Sequence, residues 1–173
     1  SPLRHIKCIK TIKIYRKRNF RVMKNNYHCL KEVDVLLPIH YSNEEYLIES
    51  INSLLNQTLK PNIICLLNGM DRNSNIYYEN ILTKLSVNKI IICPDKGIPN
   101  ALNFGINYCE GKYIARQDDD DISNPERLLK QKIFLENNNV DIVGSNINLI
   151  DKFGNIIGFR EYPTSNKKCK ETL

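Results

Sequence analysis

Tyr113-Ile114-Ala115-Arg116-Gln117-Asp118-Asp119-Asp120-Asp121-Ile122-Ser123-Asn124-Pro125-Glu126-Arg127-Leu128 joins a strand-like run, four consecutive aspartates and a helix start. Ser123 with Glu126 three residues on is a capping-box pattern, and Pro125 suits a first helical turn, where a missing N–H costs nothing. The spacing therefore predicts that the acids lie on a short loop leaving a strand and entering a helix. In open α/β sheets that edge is where ligands bind. Like charges crowd badly there: two carboxylates about 4 Å apart repel by roughly 1 kcal/mol in water and roughly 4 at an effective dielectric of 20. A divalent cation reverses that sign, and hard oxygen ligands suit Mg²⁺ or Mn²⁺. An acidic run without context is a solvated loop. This one has a context.

Outward from the loop, the pattern alternates strands and helices from residue 32. Val33–Pro38, Asn62–Leu67, Lys89–Cys93 and Lys112–Gln117 are short apolar runs of the kind a doubly covered strand shows. Between them, Glu44–Gln57 repeats Leu47, Ile48, Ile51, Leu54 and Leu55 at helical spacing, and Ile76–Leu85 and Ile98–Tyr108 also read as helices. A fourth helix is expected over Pro125–Glu136. Two further strands, Val140–Ile150 and Asn155–Glu161, are joined by the turn Asp151-Lys152-Phe153-Gly154. The order β-α-β-α-β-α-β-α-β-β argues for an α/β fold with a mainly parallel sheet and helices on both faces.

At 173 residues the chain can bury one domain core, and its 42% hydrophobic and 25% charged content is that of a soluble globular protein. No apolar run approaches the ~20 residues that span a bilayer, and no signal-peptide pattern is present. Cys8, Cys29, Cys65, Cys93, Cys109 and Cys169 form no Cys-x-x-Cys pair and read as thiols in a reducing cytoplasm.

The net charge of +6 is uneven. Residues 1–31 hold ten Lys/Arg and no acid, which leaves 25 − 10 = 15 basic against 19 acidic residues in the rest. We read three parts: a basic leader over 1–31, helical or disordered, a domain over 32–163, and a tail over 164–173. As a helix, the leader would lie on an anionic membrane surface, at the inner face of the cytoplasmic membrane. As an unpacked tail, it would have no such role. Nucleic-acid binding is disfavoured, because no basic stripe or aromatic platform continues the contact.

The same residues carry a family resemblance over roughly residues 33–163. Val33-Asp34-Val35-Leu36-Leu37-Pro38, then Tyr46-Leu47, Glu49-Ser50-Ile51, Ser53-Leu54-Leu55 and Gln57-Thr58, form its first block. Leu66-Leu67-Asn68-Gly69 is the second, Gly97 with Ala101-Leu102-Asn103 and Gly105 the third, and Ile114-Ala115-Arg116 with Asp118, Asp120-Asp121-Ile122-Ser123 the fourth. Pro125, Arg127-Leu128 and Gln131 continue into Asp141-Ile142-Val143-Gly144-Ser145. The sequence resembles the family 2 glycosyltransferases of the GT-A (Rossmann-like) fold, in particular the bacterial enzymes of O-antigen, capsule and amylovoran-type exopolysaccharide synthesis. A lone Asp-x-Asp is weak. Five ordered blocks are not.

The resemblance implies inverting transfer of a sugar from a nucleotide-sugar donor, a UDP-sugar in the first instance, to a glycan or polyprenol-linked acceptor. It implies that Asp120 holds Mn²⁺ or Mg²⁺ on the diphosphate, with Asp118 on the ribose or sharing the metal, and Asp119 incidental. Pro38, Asn68, Gly97, Asn103, Arg116 and Asp118 are the implied nucleotide-sugar contacts. Asp121 is expected to orient the loop or to stand behind a metal ligand. Arg116 would reach phosphate or make a structural salt bridge. Gly97 and Gly105 allow either close approach to the nucleotide or helix–sheet packing, and His40 and Asp34 are each open between a ligand contact and a structural role. The catalytic base of such enzymes belongs to a second acidic motif downstream; none surrounds Glu161 or Glu171, so the base is expected beyond Leu173. On this reading the chain is C-terminally truncated, and a catalytically inactive donor-binding fragment is the alternative. A nucleotidyltransferase would show a Gly-rich basic loop at Ile39–Asn43, and a receiver domain would carry acids after its early strands; neither pattern is present.

Overall fold

The computed structural model describes residues 31–163 in full and residues 7–16 by their backbone. The elements are β1 (Lys7–Arg16), β2 (Val33–Ile39), α1 (Glu44–Leu55), β3 (Asn62–Asn68), α2 (Arg72–Lys84), β4 (Lys89–Cys93), α3 (Ile98–Gly105), a 3-10 turn at Ile106–Tyr108, β5 (Tyr113–Arg116), α4 (Arg127–Asn138), β6 (Ile142–Ile150) and β7 (Ile156–Arg160). They build one sheet in the order β4-β3-β2-β5-β1-β6-β7. The four strands β4, β3, β2 and β5 run parallel, while β1, β6 and β7 extend the sheet antiparallel.

Period-two alternation explains why β2, β3 and β5 read as unbroken apolar runs. Val33, Val35, Leu37 and Ile39 of β2, with Ile63, Cys65 and Leu67 of β3, face one core with Leu47, Ile51 and Leu54 of α1, Tyr78 and Leu82 of α2 and Leu128 and Leu135 of α4. Leu36, Ile64, Leu66 and Ile114 face the other core, closed by Ala101 of α3. Helices thus cover both faces of the parallel half. The α/β expectation holds.

Three local expectations are corrected. The leader was expected as helix or disordered tail, yet residues 7–16 form a strand between β5 and β6, with Ile14 opposite Ala115 and Cys8 opposite Leu149. Ile9, Thr11, Ile12 and Ile14 are β-branched, and such side chains favour a pleated backbone over a helix. The rest of the leader, 1–6 and 17–30, and the tail from 164 lie outside the described residues. Next, α2 begins at Arg72 rather than Ile76, because the Asp71 side chain accepts from the N–H groups of Asn73 and Ser74 and caps it. Last, α4 begins at Arg127 and carries no side-chain cap. Ser123 is 3% exposed, and its hydroxyl donates to Gln117 Oε1 at 2.6 Å instead.

Candidate active site

The loops after β2, β3, β4 and β5 converge at the carboxyl edge of the parallel strands. There Pro38, His40, Asn68, Lys96, Gly97, Ile98 and Asp119 line an open cleft of about 300 Å³. Three of the sequence-predicted residues, Pro38, Asn68 and Gly97, meet in it. Asn103 lies exposed on α3, and Arg116, Asp118 and Asp120 flank the cleft without lining it.

Asn68 fastens two of the loops together. Its Oδ1 accepts the Gly97 N–H at 2.9 Å, and its backbone oxygen receives His40 Nδ1 at 2.8 Å. A carbonyl oxygen only accepts, so His40 carries its proton on Nδ1 and, when neutral, offers Nε2 as an acceptor. Gly97 sits at φ 117°, a conformation that L side chains rarely adopt, so the loop after β4 can turn there only with glycine. Gly105 has a different function. A Cβ there would fall 2.7 Å from Leu66 Cδ1, so this glycine lets α3 lie against the sheet.

The four aspartates have four different environments. Asp118 is half-buried, and its Oδ1 takes both Arg116 Nε at 2.9 Å and Nη2 at 2.6 Å. Arg116 therefore forms the salt bridge that the sequence left as one of two roles. Asp120 is exposed at the loop's tip. Asp121 is fully buried; burial lowers the Arg127 pKa to about 10, and the Asp121 charge acts in the opposite direction, favouring the cationic form.

Asp119 departs most from expectation. The alternation of an extended loop would send it away from its neighbours' side, but the backbone turns, with the Asp121 N–H reaching the Asp118 carbonyl at 3.3 Å, and Asp119 enters the cleft wall. Ser42 Oγ and the His40 N–H both donate to its carboxylate. Burial, then repulsion from Asp120 and Asp118, raises its pKa to about 7. Sequence spacing held no signal for this residue or for Ile98; for Lys96, also unforeseen in the cleft, a cation directly before a post-strand glycine was the available one.

Asp34 is resolved as structural. It lies at the opposite end of β2, where its carboxylate accepts from Asn62 Nδ2 at 2.7 Å and from the N–H groups of Glu110 and Gly111 at 2.5 and 2.6 Å.

Among the described residues no three His, Cys, Asp or Glu side chains converge as a cation cage. A cation here would draw on one or two carboxylates and complete its shell with phosphate oxygens and water, which is the habit of Mg²⁺. The donor set fits that habit. Asp120 presents an exposed carboxylate, and Asp119, whose pKa is raised by burial first and by repulsion from Asp120 and Asp118 next, stands beside it.

The sequence model of Glycosyl transferase family 2 matches residues 34–171. The chain is 34% identical over 140 residues to the O-antigen biosynthesis glycosyltransferase WbnJ of Escherichia coli, covering 80% of this chain and 55% of WbnJ. It is 34% identical over 142 residues to the putative glycosyltransferase EpsE of Bacillus subtilis, covering 77% of this chain and 49% of EpsE. The chain thus spans about half the length of these curated relatives. A crystal structure of S. aureus TarS 1–349 in complex with UDP superposes with a TM-score of 0.48 at 22% identity, over 61% of this chain and 32% of that one.

Proposed function

The chain belongs to glycosyl transferase family 2, and we propose that its cleft binds the nucleotide of a nucleotide-sugar, a UDP-sugar, for metal-dependent inverting transfer to a polysaccharide or lipid-linked acceptor. One observation carries the reading: a cleft at the sheet's carboxyl edge is lined by Asn68, His40 and Lys96 together with Asp119 of the tetra-aspartate loop. His40 Nε2 and Asn68 Nδ2 offer an acceptor and a donor for a base, and Pro38 and Ile98 offer apolar surface. Lys96 places a positive charge where a phosphate would lie. Asp120 would hold Mn²⁺ or Mg²⁺, with Asp118 oriented beside it by Arg116. A bound cation would offset the charge that gathers on a departing nucleoside diphosphate. Asp119, held by Ser42 and the His40 N–H, fixes the loop against the cleft.

A second reading is donor binding by residues 1–173 without transfer. Association with a membrane would rest on the charge of the leader. Among the described residues no helix is long and apolar enough to cross one.

Equilibrium dialysis with radiolabelled UDP and Mn²⁺ tests the cleft. His40→Ala should weaken binding by about tenfold, the worth of one partly buried hydrogen bond. Unchanged binding would move the nucleotide elsewhere. A radiolabelled sugar-transfer assay on residues 1–173 separates the two readings, since turnover excludes the second.

A further inference from the structure

A closed ring of buried polar side chains lies beneath the acidic loop. Gln117 and Ser50 are both fully buried. Gln117 Nε2 donates to the Asp121 carbonyl at 2.7 Å and to Ser50 Oγ at 3.1 Å. Ser50 Oγ donates in turn to the Asp118 carbonyl at 3.0 Å. Ser123 Oγ donates to Gln117 Oε1 at 2.6 Å, Ser53 Oγ receives the Ser123 N–H at 3.0 Å, and Ser53 Oγ closes the ring by donating to the Ser50 carbonyl at 2.6 Å. The Asp121 carbonyl can only accept, so the orientation of the Gln117 amide is fixed, and each hydroxyl proton has one acceptor.

The geometry points to a positioning role: we infer that Gln117 and Ser50 set the cation-binding shape of the tetra-aspartate loop by holding the backbone at both of its ends. The ring grips the carbonyls of Asp118 and Asp121, the first and last residues of the quartet, and leaves Asp119 in the cleft wall and Asp120 exposed. Carboxylates crowded this closely tend to splay apart. A loop tethered at one end could relax that way. A loop tethered at both ends from the buried side holds its side chains in place before a cation arrives, so that ordering is not charged against binding. Neither Gln117 nor Ser50 touches the cation or nucleotide in this arrangement. The inference rests on the reading that Asp120 holds a divalent ion.

Gln57 provides an internal control. It is equally buried and also ties α1 to this region, but through Asn124 and Leu128: its Nε2 donates to the Asn124 carbonyl at 2.7 Å and its Oε1 accepts the Leu128 N–H at 3.1 Å. Its bonds hold the start of α4 and not the quartet.

The test is Mn²⁺ titration of the whole chain in the presence of UDP, followed by electron paramagnetic resonance of free Mn²⁺, with thermal melts of each variant. Ser50→Ala and Gln117→Met should bind Mn²⁺ about tenfold more weakly, the loss typical when a partner behind a metal ligand is removed. UDP binding without metal should be unchanged in both. Gln57→Met should lower the melting temperature at least as much while keeping wild-type Mn²⁺ affinity. Ser50→Ala deletes one hydroxyl only, and so keeps the test available if Gln117→Met does not fold. Mn²⁺ affinity within twofold of wild type in the folded variants, or an equal loss in Gln57→Met, would overturn the positioning role alone. No Mn²⁺ uptake by the wild-type chain would overturn the metal reading and the positioning role with it.

Discussion

Asp119 shows how much one residue's surroundings can change its meaning. Its raised pKa means that the folded state binds the Asp119 proton more tightly than the unfolded chain does. Stability therefore falls as pH rises from the ordinary carboxylate range, 3.8, through about 7, and is level above that. Asp119→Asn removes the penalty and keeps an acceptor for Ser42 and the His40 N–H. In chelator-treated protein it should stabilise the fold by about 1–2 kcal/mol at pH 8, after allowing for partial solvent access. At pH 3 the gain should disappear. Urea unfolding at the two pH values checks this, and a gain that persists at pH 3 would mean that ionising the buried carboxylate is not what costs stability. A site that costs stability is what a binding loop is expected to show.

Elements of structure differ in how plainly the sequence states them. β2 and β3 were legible because both faces are covered, so their positions are apolar apart from Asp34 in β2 and Asn62 and Asn68 at the ends of β3. The β6–β7 turn was legible for local reasons as well: Asp151 Oδ1 accepts the N–H groups of Phe153 and Asn155, and Gly154 takes φ 86°. The start of α2 was not legible from periodicity, since Arg72-Asn73-Ser74-Asn75 has no apolar repeat and the start is set by the Asp71 cap. β1 was missed because strand pairing is decided by distant partners, here β5 and β6. The acidic loop's location was legible, but its internal geometry was not, because Ser123 had a choice of partners that only the folded chain resolves.

Two predictions belong to this scale. Asp71 accepts from Asn73, Ser74 and Tyr41, and these bonds lower its pKa to about 2. A depressed carboxylate contributes stability above its unfolded pKa and loses it as pH falls through the folded one. Asp71→Ala should therefore lower the melting temperature by about 3 °C at pH 7, and the gap from wild type should close between pH 4 and pH 2. A gap of constant size would show that the charge is irrelevant to the cap. Gly105→Ala should destabilise the fold by about 1–3 kcal/mol through overpacking, because Leu66 is fully buried and has no space into which to withdraw. Chemical denaturation reads this directly, and a stabilised variant would mean that α3 can slide.

For the whole molecule, the sheet divides into two halves. The parallel half, β4-β3-β2-β5, is covered on both faces and ends in the four loops that make the cleft. The β6–β7 extension carries Ile156, Ile157 and Phe159 at the surface. The half covered on both faces is thus the one that positions the site, as a binding constellation requires. Residues remote in sequence, Pro38, Asn68, Gly97 and Asp119, meet only because parallel strands return the chain to the same edge each time. The most direct test of this account is calorimetric titration of the chain with UDP, with and without Mn²⁺, in wild type and Asp120→Ala. We expect Mn²⁺ to tighten UDP binding by at least tenfold in the wild type and to have no effect in Asp120→Ala. Equal UDP affinity with and without Mn²⁺ in the wild type would contradict it.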